Sequence, residues 1–323
     1  MRKVIKLLGI LVGVVVLTVA GFAVWVQARG IPTYDVPPVP VAVAVSTTPA
    51  QLELGHKIVQ ASCADCHLNK QTNALSGQQL PDIPEDFGAV YSANITQDKA
   101  HGIGSWTNQE LTTLLRTGIG RDGRYRVIMP HFVYMSDEDV AATLAFLHSD
   151  HEWVKANPTP SHEQEPSFLL KALTNTAMKP TPVVAGAQIA PPSTDRIAYG
   201  RYLVVGRYLC FECHSKDFKS NNSLHPEESA GYLGGGNPLL TMQRQPILSR
   251  NLTSDPETGT GDWTEPQFAQ ALKFGMSPNG PLHYPMPKYS TLTDDEVGAI
   301  YAYLQSVPKI KNATTEDGAV AAK

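Results

Sequence analysis

The chain has 323 residues, 42% of them apolar, with 26 basic and 30 acidic side chains interspersed; that suits a globular protein of about two domains. Setting aside the four basic residues within 1–29 leaves 26 minus 4, or 22, against 30 acidic ones, a formal charge of −8. Such a surface argues against nucleic acid as a partner and for a protein with a basic docking patch.

In chain order, Leu7 to Val26 is a run of twenty uncharged residues, preceded by Arg2, Lys3 and Lys6 and followed by Arg29. As a helix it spans roughly 30 Å, the hydrocarbon thickness of a bilayer. The positive flank ahead of it places the N-terminus in the cytoplasm and the remainder outside. A cleaved signal peptide ending near Val26-Gln27-Ala28 is the competing reading. The apolar core is longer than the roughly 7–15 residues of a signal h-region, so residues 1–30 read as an uncleaved single-pass anchor. Residues 31–49 hold five prolines and read as a semi-rigid stalk, reaching up to roughly 60 Å at about 3.1 Å per residue.

A first domain is expected over 50–155. A helix through Leu54 to Val59 leads into Cys63-Ala64-Asp65-Cys66-His67; Thr107-x-x-Glu110 and Ser136-x-x-Asp139 open two more helices. The last has apolar Val140, Leu144 and Leu147 at helical spacing. Residues 156–194, rich in Pro and Ala, form a linker expected to pack across both domains, with a short helix around Phe168 to Leu173. The second domain, 195–310, repeats the order: a helix from Ile197 to Val205, then Cys210-Phe211-Glu212-Cys213-His214, Thr264-x-x-Gln267 and Thr293-x-x-Glu296, with Val297, Ile300, Tyr301 and Leu304 on the last helix. The tail, 311–323, is small, polar and expected to be disordered. No alternating strand run separates these helices, so the predicted fold is all-α, two helical domains in tandem.

All four cysteines lie in C-x-x-C-H, the attachment signature of a c-type haem: two thiols add across the haem vinyl groups, and the adjoining histidine ligates the iron. Two C-x-x-C pairs closing one zinc site is the competing reading, but it leaves both histidines unexplained. A shift of 157 lays residues 94–149 over 251–306 without a gap. Asn94, Thr96, Asp98, Gly102, Gly104, Trp106 and Thr107 all recur, and Gly118 and Gly123 meet Gly275 and Gly280. Within "VIMPHFVYM", residues 127–135, the candidate iron ligands are Met129, His131 and Met135. Met129 falls on Met286, His131 on Lys288 and Met135 on Leu292. Lysine does not replace an imidazole, and a position taking Met or Leu is core. The ligands are therefore Met129 and Met286, with His131 at the surface. Met129 follows Cys66 by 63 residues and Met286 follows Cys213 by 73; the ten extra fall around Ser220 to Gly236. Zinc has no use for a thioether, whereas haem iron does.

These residues resemble class I cytochromes c joined in tandem, and "NITQDKAHGIGSW" and "NLTSDPETGTGDW" resemble the multihaem cytochrome c subunits of membrane-bound alcohol and gluconate dehydrogenases. The resemblance implies two covalently bound haem c groups, ligated by His67 with Met129 and His214 with Met286. It also implies that Asn94, Trp106, Asn251 and Trp263 help fix the macrocycles and their propionates. Those subunits typically carry three C-x-x-C-H motifs, and this chain has two. Asn94-Ile-Thr and Asn251-Leu-Thr match the glycosylation sequon, but their recurrence favours a structural role. His56, His101, His162 and His225 have no repeat counterpart and read as solvent-facing. Arg126 and His283, three residues before each methionine, are expected near propionates.

Iron with His and Met on opposite faces has no open site, which suits passing electrons rather than binding substrate. The expected protein is a dihaem electron carrier tethered to the inner membrane, its haem domains in the periplasm. Its electrons come from a periplasmic dehydrogenase or quinol-oxidising complex and pass to a terminal oxidase or another cytochrome. Two alternatives stay open. One is a dihaem enzyme of peroxidase or thiosulfate-dehydrogenase type, with one labile distal ligand. The other is a fixed subunit of an oxidase or dehydrogenase complex, its anchor packed on partner helices; the Gly9-x-x-x-Gly13 spacing is a weak pointer to that packing.

Overall fold

The computed structural model of the protein describes residues 1–39 and 44–314. Residues 40–43 of the expected stalk, and the expected disordered tail from residue 315 on, lie outside the described residues. In chain order the elements are α1 (Arg2–Arg29), α2 (Pro49–Ser62), α3 (Ala64–His67), β1 (Gly88–Ala89), α4 (Asn108–Thr117), α5 (Asp137–Leu147), β2 (Glu165–Pro166), α6 (Phe168–Thr176), α7 (Arg196–Tyr202), α8 (Cys210–His214), β3 (Pro238–Leu240), β4 (Pro246–Leu248), α9 (Glu265–Phe274), β5 (Met276–Ser277), β6 (Gly280–Pro281) and α10 (Asp294–Ser306).

Helices dominate, and the expectation of all-α overstates them. They hold 39% of the residues, and three antiparallel ribbons, β1 with β2, β3 with β4 and β5 with β6, fill places read as loops. The ribbons are two or three residues deep, too short to show as period-two alternation.

Two helix pairs carry the core. α2 crosses α5, and α7 crosses α10. Each crossing is drawn tight by a glycine: a Cβ on Gly55 would stand 2.0 Å from the Ala142 carbonyl oxygen, and one on Gly200 would stand 1.9 Å from that of Ala299. The expected caps form. Thr107 with Glu110, Thr264 with Gln267 and Thr293 with Glu296 make reciprocal capping boxes, each satisfying two otherwise orphaned N–H groups. Gly118 and Gly275 close α4 and α9 in the left-handed region at φ 75° and 72°. Met135 is 1% exposed and Leu292 3%, so both are core, as the alignment requires. Ile58, Leu75 and Leu144 belong to one continuous apolar cluster with Tyr202, Leu233 and Leu304, so the two helical units share a core.

An ionic cluster sits inside the shared interface. Arg207 lies in a π-turn, Leu203–Arg207, that extends α7. It donates to both carboxylate oxygens of Asp139 at 2.5 and 2.9 Å and to Glu296 at 2.8 Å. Glu296 also pairs with Lys57, and Asp139 accepts from the Tyr202 hydroxyl. Asp139 and Glu296 occupy the same repeat position, 157 residues apart, in the first turns of α5 and α10. Burial alone would pull the Arg207 guanidinium down, but Asp139 overrides it and holds the charge firmly on. At the edge of the interface, Tyr134 donates to the Leu224 carbonyl at 2.6 Å, and Arg244, beside β3 and β4, donates to that of Ile83 at 3.1 Å.

Helix α1 is not held off on a long arm. The Thr33 backbone bridges to Arg124, the Tyr34 amide donates to the Gly123 carbonyl at 2.8 Å, and the Tyr34 ring stands edge-on to Tyr125. The expected reach of roughly 60 Å is therefore cut short a few residues after α1 ends. Between Asn157 and Gln188, among the described residues, the hydrogen bonds of this segment to other segments run to the first unit and to the end of α1. Examples are Asp137 N–H to Gln188 O at 2.7 Å and Thr181 N–H to Thr117 O at 3.2 Å.

Candidate haem sites

The two pentapeptides are built alike. Cys63 and His67 bracket α3, and Cys210 through His214 form α8, so each histidine ends one helical turn begun at the first cysteine. His67 Nδ1 donates to the Ala93 carbonyl at 2.7 Å and His214 Nδ1 to that of Arg250 at 2.7 Å. A carbonyl only accepts, so the proton is on Nδ1 and Nε2 keeps its lone pair. This is the outer bond that orients a metal-ligating imidazole and raises its basicity. Burial pushes both rings below the ordinary histidine range, partly opposed by that same bond, which keeps them neutral as ligation requires.

The chain supports the histidines in parallel. Gly77 N–H returns to His67 O at 3.0 Å and Gly235 N–H to His214 O at 2.7 Å. Ten residues separate the first pair and twenty-one the second, eleven more, so the inserted residues lie before Gly235 and one is given back before Arg250, which restores the net difference of ten. Met129 N–H bonds to Arg126 O and Met286 N–H to His283 O, both at 3.0 Å. Phe132 N–H bonds to Leu115 O at 2.7 Å and Tyr289 N–H to Leu272 O at 3.0 Å, which ties each methionine segment to the helix before it.

Asn94 and Asn251 do this work from a distance. Each is 2% exposed. The Asn94 amide oxygen accepts from Thr96 N–H and Oγ–H, and its nitrogen donates to Asn157 and Thr159 carbonyls. Asn251 accepts from Thr253 N–H and Oγ–H and donates to Thr258 Oγ and Ile310 O. Neither has a hydrogen bond left for a propionate. What each fixes is the turn whose preceding residue, Ala93 or Arg250, supplies the carbonyl to the histidine. Those two carbonyls were invisible in the sequence because any residue supplies one; their only signal is their place beside the recurring asparagines. Trp106 and Trp263 are half-buried against the core. The Arg121 guanidinium lies 5.0 Å from the Trp106 ring centre, and the Trp263 carbonyl accepts from Tyr301 at 2.7 Å.

Other histidines depart from expectation. His131 is not a surface residue: its Nδ1 meets Thr181 Oγ at 2.8 Å, its Nε2 is buried against Gly118, and burial pushes it down to about 4. His56 is packed rather than solvent-facing, stacked on Phe146 at 4.9 Å beside His151 and Trp153. Arg126 pairs with Asp122 at 3.0 Å, while His283, His101, His162 and His225 are exposed.

The donor set fits haem c. The four cysteines are unpaired thiols, Cys63 and Cys210 half-buried and Cys66 and Cys213 exposed. Among the described residues no three of the His, Cys, Asp and Glu side chains gather as a metal-ion cage, so the four sulfurs do not converge on one zinc. Each site instead offers two thiols, one imidazole with a free Nε2, and a half-buried thioether, Met129 or Met286, packed against the core.

Residues 50–147 match the family model of the cytochrome c oxidase, cbb3-type, subunit III. Over those residues the chain is similar to cytochromes c, a family that implies covalently bound haem c. The chain is 33% identical over 79% of its length to the fructose dehydrogenase cytochrome subunit of Gluconobacter japonicus, covering 52% of that protein. It is 30% identical over 83% of its length to the cytochrome c subunit of the quinone alcohol dehydrogenase of Gluconobacter oxydans, covering 58% of it. It is also 29% identical over 80% of its length to a diheme c-type cytochrome of Cereibacter sphaeroides, of which it covers 86%. The chain thus spans about half the length of the dehydrogenase cytochrome subunits it matches.

Proposed function

We propose that this cytochrome is a membrane-tethered dihaem electron-transfer protein, taking electrons from a dehydrogenase and passing them to a terminal oxidase or another cytochrome. Haem c, when bound, supplies a one-electron couple. The chain's own residues do the rest. In this reading Cys63, Cys66, Cys210 and Cys213 hold the two groups, residues 50–155 and 195–310 form the two domains around them, and His67 with Met129 and His214 with Met286 ligate. The haem domains stand on the periplasmic side of the cytoplasmic membrane, with α1 as the span: its charge-free run follows three basic residues, and it is a helix of 28 residues.

The observation that carries this reading is the matched pair of histidine–carbonyl bonds, each at 2.7 Å, one turn after a pair of unpaired thiols. Two centres built alike suit electron passage; an enzyme would need one centre built differently to open. The dehydrogenase partner rests on the names of the relatives. The diheme relative, covered over 86% of its length, favours a second reading, a free two-haem carrier. A pyridine-haemochrome assay on the purified chain tests the cofactor count, two being expected and one or none contradicting it. Mild solubilisation of native membranes separates subunit from carrier: a dehydrogenase flavin or quinone polypeptide retained with the chain supports the first reading, and a chain that elutes alone supports the second.

A further inference from the structure

α6 is built in a way that water does not explain. Leu170 and Thr174 form its inner face and are buried. Its outer face carries exposed apolar side chains: Phe168 and Leu169 are 47% and 43% exposed, with Ala172 and Leu173 half-buried beside them and Thr176 the one exposed polar residue in the helix. A helix lying on a domain in water presents polar side chains there. The helix is fixed in place, with Ser167 capping it at 3.2 Å to Leu170 N–H and β2, directly before it, paired to β1.

Its flank meets the end of α1. Lys171 Nζ donates to Gln27 Oε1 at 3.2 Å and Asn175 Nδ2 to the Gly30 carbonyl at 2.8 Å. That end of α1 has the features of a membrane-water boundary. Trp25 is exposed, Arg29 lies 5.2 Å from its ring centre, and the exposed apolar run through Val24 stops there. With Thr33 and Tyr34 bound to Gly123 and Arg124, the first unit has no slack to move away.

We propose that α6 is a membrane-interface helix: Phe168 and Leu169 enter the lipid surface beside the exit of α1, with Lys171 and Arg29 at headgroup level. The occupant is lipid because the apolar face is continuous with the flank of the span itself, and basic side chains border it, which anionic headgroups attract. The consequence is that the haem unit containing His67 is seated on the membrane in one orientation instead of swinging on a tether. This rests on the reading of α1 as a span, and the test separates the two.

The full haem-matured chain is placed in vesicles of phosphatidylethanolamine and phosphatidylglycerol. Its native cysteines are consumed as thioethers, so Phe168→Cys, Leu169→Cys or Val15→Cys gives a single site for a nitroxide label. Collision with oxygen, which partitions into lipid, is compared with collision with a water-soluble nickel chelate. The expected result is that oxygen dominates at 15, 168 and 169. If oxygen dominates at 15 while nickel dominates at 168 and 169, α6 faces water and the proposal falls with the anchor intact. If neither reagent reaches 168 and 169, protein covers the face, and the proposal falls again. If nickel dominates at 15, the anchor reading fails and takes this one with it.

Discussion

The Arg207 cluster gives the sharpest energetic expectation. The Arg207, Asp139 and Glu296 side chains are 5%, 2% and 8% exposed, so their charges are desolvated and depend on one another. Arg207→Met keeps the length of the stem and removes three charge-assisted bonds. Glu296 retains Lys57 and the Thr293 amide, but Asp139 retains only neutral partners around its carboxylate, chiefly the Tyr202 hydroxyl. Leaving one buried charge uncompensated costs about 3–5 kcal/mol, which is roughly two to three and a half powers of ten in the folding equilibrium at about 1.4 kcal/mol per tenfold. The assay is urea unfolding of the haem-matured chain in detergent, followed through the haem absorbance and through tryptophan emission. Adding Asp139→Leu to Arg207→Met removes the orphaned charge, and the double variant is expected to regain most of the loss, a strong coupling between neighbours. A single-variant loss below about 1 kcal/mol, the worth of an exposed pair, would refute the claim that this cluster is dry and holds the units together.

Three further outcomes follow from the same structure. Glu296 has its folded pKa held below 4.5: burial pushes it up, and Lys57, the Thr293 amide and Arg207 outweigh that. It therefore contributes stability that is complete above 4.5 and is lost as pH falls through the lower folded value, so urea midpoints measured at decreasing pH should drop more steeply in the native chain than in Glu296→Gln. Gly200→Ala puts a Cβ against the Ala299 carbonyl and should cost about 1–3 kcal/mol as overpacking, whereas alanine at Gly186, which has open space but a φ of 87°, tests backbone strain alone; equal costs at both positions would remove the helix-crossing argument. Asn94→Ala should lower stability by about 1–3 kcal/mol through the amide and hydroxyl protons left unpaired on Thr96 and the freed carbonyls of Asn157 and Thr159, and should loosen the ligand field of the first haem and not the second, read by resolving the two spectra during a redox titration.

What could be read from the sequence was what depends on near neighbours. Cys63 to His67 declares its chemistry within five residues, Thr107 and Glu110 declare a helix start within four, and the offset of 157 carried both to the second copy. The inserted residues were placed by counting alone, and the bonds of Gly77 and Gly235 put them in the same stretch, one residue off the count. Contacts between distant segments were not legible. His131 meets Thr181 fifty residues away, and His56 stacks on a helix that begins at Asp137; neither partner leaves a periodic mark. The prolines of 31–49 suggested reach, yet Thr33 and Tyr34 pair with a turn near position 123. Asn94 and Asn251 were rightly singled out as recurring, but their amides serve the turns whose carbonyls hold the histidines. Arg207 lies just past the helix read from Ile197 to Val205, and its partners at 139 and 296 are 68 and 89 residues off.

The measurement that bears most directly on the central claim is a spectroelectrochemical titration of the haem-matured chain, recording the Met-sulfur-to-iron charge-transfer band of the oxidised form in the native protein, Met129→Leu and Met286→Leu. Two low-spin centres with the band at full intensity, each variant losing about half of it and gaining cyanide binding at one haem only, is the predicted result. A native protein in which one haem lacks the band, or turns high-spin and binds cyanide or peroxide on half-reduction, would contradict it and put an enzyme in place of the electron carrier.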